Sequence, residues 1–519
     1  MAAKIKPVQI NDQKPKDELF ALVKALSQNE KRYIKMFSSH GNSELLYLQL
    51  FDALDAEEVY VEKEFLAKHA GKPFIRNFGP AKRFLKLAIL RAMRAYHEDR
   101  FLHQEVTACL QNFRFLYEKG LYASARKQLV TARKKAEQGQ LDLALLEINE
   151  RETTFLFEQS LKASDLLQQL HRLQTEQKHI LERLQLTYLF TNSYHRLFLE
   201  YRQGRGLSLR DLVAPHLPVE DLETTLHHLE DHPFATQLAA LHIQALLVRD
   251  NRQLQESRLV YRRILDLFRR HGRDRGEYLS HYCRVFSNYL SFCHQTQEYD
   301  EFEALLEEMR GLLKSSKIPD QRGEILQNLL LYEAVFRMNT QQWEAARSIP
   351  QQVRQLFLHH GRKINKPREI TLSFNCMVIW FFNEDWQAMK PWIDHLLQGD
   401  KSGFLVEATH TARIMEMIYH FERHHHDLIP YLRRSVGRKI QFPLHKELVH
   451  QLARINDTPL LERADGMREL AAFIERQLQA RQPETPLAGL TEMYYWAQAR
   501  ARGWSLIQTF QTLPPPPSP

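Results

Sequence analysis

The stretch TQQWEAARSIPQQVRQLFLHHGR, Thr340 to Arg362, has a counterpart earlier in the chain, NRQLQESRLVYRRILDLFRRHGR, Asn251 to Arg273. Both end in Leu-Phe-x-x-His-Gly-Arg, and the copies lie 89 residues apart. A helix ending written twice points to architecture, a stack of similar helix pairs, rather than to chemistry. Leu254, Tyr299, Trp343 and Trp386 each stand where a second helix begins, at intervals of 45, 44 and 43 residues. Tyr122 lies 132 residues before Leu254, three periods of 44.

The positions at +3, +7 and +10 from each of these anchors share a character. They are Ala125, Leu129 and Ala132; Ser257, Tyr261 and Ile264; Phe302, Leu306 and Met309; Ala346, Pro350 and Val353; Met389, Ile393 and Leu396. Offsets of 3, 7 and 10 trace one face of a helix, so each second helix is expected to bury that stripe. Pro350 is expected to bend or interrupt its helix, because it lacks an N–H and crowds the preceding turn.

Elsewhere the chain is rich in Leu, Gln, Glu, Arg, Lys and Ala, all helix formers, and strand signals are nearly absent. Pro233, Pro319 and Pro367 read as helix starts, and Gly272, Gly361 and Gly399 as helix stops. Of the 519 residues, 44% are hydrophobic and 26% charged, the balance of a globular chain with a real core. The net charge of +8 permits an acidic partner or nucleic acid without demanding one. Cys109, Cys283, Cys293 and Cys376 form no Cys-x-x-Cys pair and read as reduced core thiols. The opening MAAKIKPVQINDQKPKDE has no apolar h-region, and the apolar run CMVIWFF, Cys376 to Phe382, is far short of the roughly 20 residues a bilayer requires. A cytoplasmic protein is expected.

The segment EKGLYASARKQLVTARKKA, Glu118 to Ala136, resembles the second half of a tetratricopeptide repeat. Gly120, Tyr122, Ala125 and Ala132 fall where that family places its turn glycine, its aromatic and its two small packing residues. QQWEAA and EDWQAM echo the same turn. The period departs from the family's roughly 34 residues, and about 44 is nearer to HEAT or armadillo length. Phe302 and Met389 also stand where a small residue is usual. The resemblance implies a divergent α-solenoid over residues 106–440, with antiparallel helix pairs stacked so that a concave face forms.

Residues 1–18 read as a flexible N-terminus and 19–105 as a separate helical domain. In the latter, LSQNEKRYIKMF places Ser27 and Glu30 at capping-box spacing and resembles the opening of an uncharacterised group of bacterial helical-repeat proteins. The following stretch carries Lys68, Lys72, Arg76, Lys82, Arg83, Lys86, Arg91 and Arg94 with no acidic residue between them. Arg76, Lys82, Arg83 and Lys86 are the candidate partner-binding residues, facing either an acidic protein or phosphates; a solvated helix face is the structural alternative. Residues 441–505 read as a C-terminal cap, including LAGLTEMYYWAQARARGW, and 506–519 as a disordered Pro-rich tail.

No phosphate-binding glycine loop, Gly-x-Ser-x-Gly or His-Glu-x-x-His occurs, so no enzyme and no cofactor are expected. His420 and His424, four apart in HFERHHHD, are the best metal candidates, but two ligands fall short of the three or four a site needs. The expected function is a non-enzymatic scaffold that binds a protein segment on the concave face of the array, with no membrane partner. The alternative is a regulator whose basic N-terminal domain touches nucleic acid while the repeats sense a partner.

Overall fold

The computed structural model describes residues 17–37, 44–98, 101–157, 163–203, 219–250, 253–271, 278–315, 319–360, 364–399, 406–439, 442–479 and 489–513. Every regular element among them is helical. The described residues divide into two compact units, one up to Ile243 and one from Gln244 onward.

The first unit opens with α1 (Glu18–Ala25), α2 (Gln28–Phe37), α3 (Glu44–Ala56), α4 (Glu62–Lys68) and α5 (Phe78–Tyr96). Their core is built from residues such as Leu19, Ile34, Leu50, Phe51, Leu85 and Ile89. The capping box forms as expected: the Ser27 N–H donates to Glu30 Oε2 at 2.8 Å, and the Glu30 N–H donates to Ser27 Oγ at 3.3 Å. Next come α6 (Leu102–Glu118), α7 (Tyr122–Gly139), α8 (Asp142–Leu156) and the 41-residue α9 (Ala163–Gln203). A second core joins α6 to α9 through Val106, Phe113, Leu129, Ile148 and Ile180. Helix α10 (Val219–His227) follows, and the boundary between the units falls within α11 (Phe234–Asp250).

The second unit continues with α12 (Leu254–His271), α13 (Leu279–Gln295), α14 (Phe302–Ser315), α15 (Pro319–Asn339), α16 (Trp343–Ala346), α17 (Ile349–His360), α18 (Lys366–Phe382), α19 (Trp386–Gly399), α20 (Val406–Glu422) and α21 (Ile429–Lys439). Then come α22 (Pro443–Asp457), α23 (Arg463–Gln479), α24 (Leu490–Arg502) and α25 (Leu506–Thr512). Helices α13, α15, α18 and α20 are neighbours in a row, and α12, α14, α17 and α19 pack along them, so the chain stacks antiparallel helix pairs.

Two sets of helices have different burial. Those in the row are buried nearly all round; α13 alone buries Tyr282, Cys283, Phe286, Tyr289, Leu290 and Phe292. Those alongside bury one stripe, and that stripe is the +3, +7, +10 set. All fifteen positions from Ala125 to Leu396 are buried. Leu254, Trp343, Trp386 and Tyr122 each open their helix, whereas Tyr299 sits in the turn before Phe302. The anchors themselves vary in exposure: Trp343 is buried, Tyr299 and Trp386 are half-buried, and Tyr122 and Leu254 are exposed. Pro350 splits its helix into α16 and α17, as its missing N–H requires.

The turns repeat as well. Gly120, Gln297, Gln341 and Glu384, each two residues before an anchor, all adopt positive φ, at 73°, 58°, 59° and 54°. Each closes its helix with the same bond pair; at Gln341 the N–H donates to the Met338 carbonyl at 3.3 Å, and the Gln342 N–H donates to the Arg337 carbonyl at 2.8 Å. This is the Schellman ending, recurring also at Gln140 and His424. The glycine stops expected at Gly272 and Gly361 lie outside the described residues, and Gly399 is the last residue of α19. Residues 506–512, expected within a disordered tail, form α25, with Leu506 buried; the proline run lies outside the described residues.

Candidate interaction surface

Helix α5 enters through Asn77, and Pro80 stands in its first turn, where a missing N–H breaks no helical bond. Ala81, Leu85, Ile89 and Ala92 form its buried stripe against α2 and α3. The candidate cations leave from the other sides. Lys82 is tied down: its Nζ contacts Asp17 and lies 2.8 Å from Glu62 Oε2, with its ammonium over the rings of Phe78 at 5.2 Å and Tyr60 at 5.5 Å. Burial opposes the charge on Lys82, but the bonds to Asp17 and Glu62 outweigh it and hold its pKa above the ordinary lysine range. Lys86 Nζ lies 2.5 Å from Glu18 Oε2, and its hydrogen bond holds that carboxyl below its usual range. Lys68 pairs with Glu57 at 2.6 Å.

The expectation of cations without acidic neighbours therefore fails at Lys82, Lys86 and Lys68. Asp17 and Glu18 at the start of α1 and Glu62 of α4 are brought beside α5 by the fold, while Glu57, between α3 and α4, meets Lys68 at the end of α4. Asp17 serves twice, because its Oδ1 also accepts the Phe20 N–H at 2.9 Å and caps α1. Arg76 and Arg83 differ: both are exposed, and neither has an ion pair among the described residues. Arg91 and Arg94 share that condition.

The histidine spacing does not hold in space. Helix α20 ends at Glu422, and His424 occupies the left-handed turn at φ 58°, so His420 and His424 do not share a helix face. His420 Nδ1 instead approaches His425 Nδ1 at 3.2 Å. Among the described residues no group of three or more His, Cys, Asp or Glu side chains is placed to hold a metal ion. All four cysteines are free and buried, and burial pushes the Cys283 thiol up to about 12. No described helix is long and apolar enough to cross a membrane.

A feature that sequence reasoning missed lies at the far end of the second unit. Helix α24 is bounded by Gly489 and Gly503, and its Tyr495, Trp496 and Ala497 are buried. Phe421 meets Trp496 edge-on at 5.6 Å, and Phe382 meets Phe510 of α25 at 5.2 Å. The C-terminal helices thus lie over the ends of α18 and α20 rather than only beyond the last pair. Compared with protein-family models, curated proteins and solved structures, the chain matches none.

Proposed function

We propose that this protein is a non-enzymatic cytoplasmic scaffold that binds a partner segment on the concave face of a divergent tetratricopeptide-like array. The observation that carries this reading is the burial of all fifteen stripe positions together with the turn that recurs before the anchors. Each second helix uses its apolar face on its neighbours, so stacking repeats one unit and extends a surface. On α13 the open edge is polar, formed by Arg284, Asn288, Ser291 and Gln295 at helical spacing. Such an edge suits an extended or helical segment of another protein.

A photo-crosslinker at Arg284 or Ser291 of the full chain, expressed in its host, tests this. Capture of a discrete protein from either position, lost when Asn288 and Gln295 are replaced by lysine, is expected. Failure to capture any protein from either position counts against the scaffold reading.

A second reading, a regulator that contacts nucleic acid, draws on exposed Arg76 and Arg83. It requires duplex binding whose affinity falls steeply with salt.

A further inference from the structure

We infer that the outward face of α5 is a docking surface for an acidic amphipathic helix of another protein. The proposal rests on the scaffold reading and names a second surface for it, outside the array.

The buried stripe of α5 accounts for only part of its apolar residues. Leu87 and Leu90 are 48% and 44% exposed, and Phe84 is 39% exposed. Arg83, Leu87, Leu90 and Arg94 follow one another at spacings of four, three and four, so they form a second stripe on one helix face. Two leucines are thus bracketed by two exposed arginines, with Arg91 alongside. None of the three arginines has an ion pair among the described residues, whereas Lys82 and Lys86 are both paired within the domain. No acidic residue occurs between Phe78 and Tyr96.

Beside the stripe, a recess of about 100 Å³ opens between α2, α3 and α5, lined by Phe37, Tyr47, Leu48, Phe84, Leu85 and Arg91. Tyr47 stacks on Phe84 at 4.0 Å and forms one wall. Phe37 is 46% exposed and Met36 62%, so the apolar surface continues onto α2.

The chemistry selects the occupant. Leucines at helical spacing next to an aromatic recess accommodate the apolar edge of a helix laid alongside, and arginine forks at both ends donate bidentately to carboxylates. A phosphate backbone would satisfy the arginines but leave Leu87, Leu90 and Phe84 against charge and water, which argues for protein over nucleic acid. The chain's own first sixteen residues carry four lysines against one aspartate, so their charge is wrong for this face.

The probe is a fluorescent synthetic helix of about 20 residues with leucines along one edge and glutamates flanking them. A second version has every glutamate replaced by glutamine, and a duplex DNA of similar length serves as the polyanion. Fluorescence anisotropy with the full chain should show saturable binding of the glutamate helix, weakened about tenfold or more by Leu87→Ser with Leu90→Ser, and likewise by Arg83→Glu with Arg94→Glu. Melting should stay unchanged in both variants. On the wild-type chain the glutamine helix should bind about tenfold more weakly, a comparison that needs no variant.

The inference is overturned if the glutamate helix does not bind, if the leucine variants bind it as the wild type does, or if DNA binds and only arginine reversal matters. Should it fail while crosslinks at Arg284 still capture a protein, the scaffold stands without this surface. Should those crosslinks fail while the helix binds here, the array reading falls instead.

Discussion

Arg500 of α24 grips Glu422, the last residue of α20, with both prongs of its guanidinium: Nε lies 2.6 Å from Oε1, and Nη2 lies 3.0 Å from Oε2. The same Nη2 reaches Glu384 Oε1 at 2.7 Å, and Glu384 is the left-handed residue of the turn between α18 and α19. Trp496 Nε1 also donates to Glu422 Oε1, at 2.7 Å. One side chain near the C-terminus therefore ties together the ends of two successive pairs. Burial disfavours the charge of Arg500, yet Glu422 and Glu384 hold its pKa above the ordinary value.

Replacing Arg500 with alanine leaves two half-buried carboxylates without their cation. A loss of about 3 kcal/mol is expected, because an uncompensated charge costs more than the pair contributed. Arg500→Lys should recover only part, since an ammonium cannot engage both oxygens of Glu422 in a planar fork. Urea unfolding of the two variants measures this, and a wild-type midpoint for Arg500→Ala would show that the contact carries no stability.

Trp343 and Trp386 occupy the same repeat position but do not carry the same load. Trp343 is 3% exposed, stacked on Phe382 at 4.2 Å and edge-on to Phe510 at 5.5 Å. Trp343→Ala is expected to cost about 3–5 kcal/mol. Trp386 is half-buried, edge-on to Phe381 at 5.7 Å, and its truncation should cost less, about 1–3 kcal/mol. Equal melting shifts in the two variants would contradict this ranking.

Gly489 opens α24 at φ 82°, and a Cβ there would drive into Thr411 Cγ2. Gly489→Ala should destabilise by about 2–4 kcal/mol, combining left-handed strain with overpacking. Thr411→Ser removes the methyl group but leaves the backbone strain. Thermal melts of the double variant should therefore recover part of the loss and not all of it.

Lys82 and Arg83 are adjacent in sequence and opposite in role. Lys82→Glu places a carboxylate against Asp17 and Glu62, and stability should fall by about 2 kcal/mol, between the values for exposed and buried pairs. Arg83→Glu should stay within about 0.5 kcal/mol of wild type. A fall in melting temperature for both would mean that Arg83, too, is held by the domain.

His445 is fully buried on α22, with neither ring nitrogen hydrogen-bonded among the described residues, and the ring of His410 lies 5.7 Å away. Burial, reinforced by His410, lowers its pKa from 6.5 to about 4. The unfolded chain therefore binds the proton more readily than the fold does. The stabilisation is complete above pH 6.5 and is lost as the pH falls toward 4, about 3 kcal/mol in all. His445→Phe should flatten the pH dependence by about 2 kcal/mol between pH 7 and pH 5, measured by urea unfolding. An unchanged slope in that variant would remove His445 as its source.

The helical class, the fifteen buried stripe positions and the break at Pro350 were all legible in the sequence. They depend on a period of 3.6 residues and on ring closure at proline, both set within a few residues of chain. The exposure of Tyr122 and Leu254 was not, because a helix's first residue is covered only if a neighbour reaches it. Nor were the left-handed turns at Gln297, Gln341 and Glu384, where glycine would be the usual signal and the closing pair of backbone hydrogen bonds forms with other residues in its place. Only the tertiary structure decided which cations of α5 are unpaired among the described residues. Lys82 meets Asp17, 65 residues away, while Arg83, one position along, turns outward, because a helix rotates successive side chains by about 100° and only one of the two faces α1. Arg500 likewise finds Glu384 across 116 residues, a partnership that arises where three helix ends converge and has no local signal in the chain.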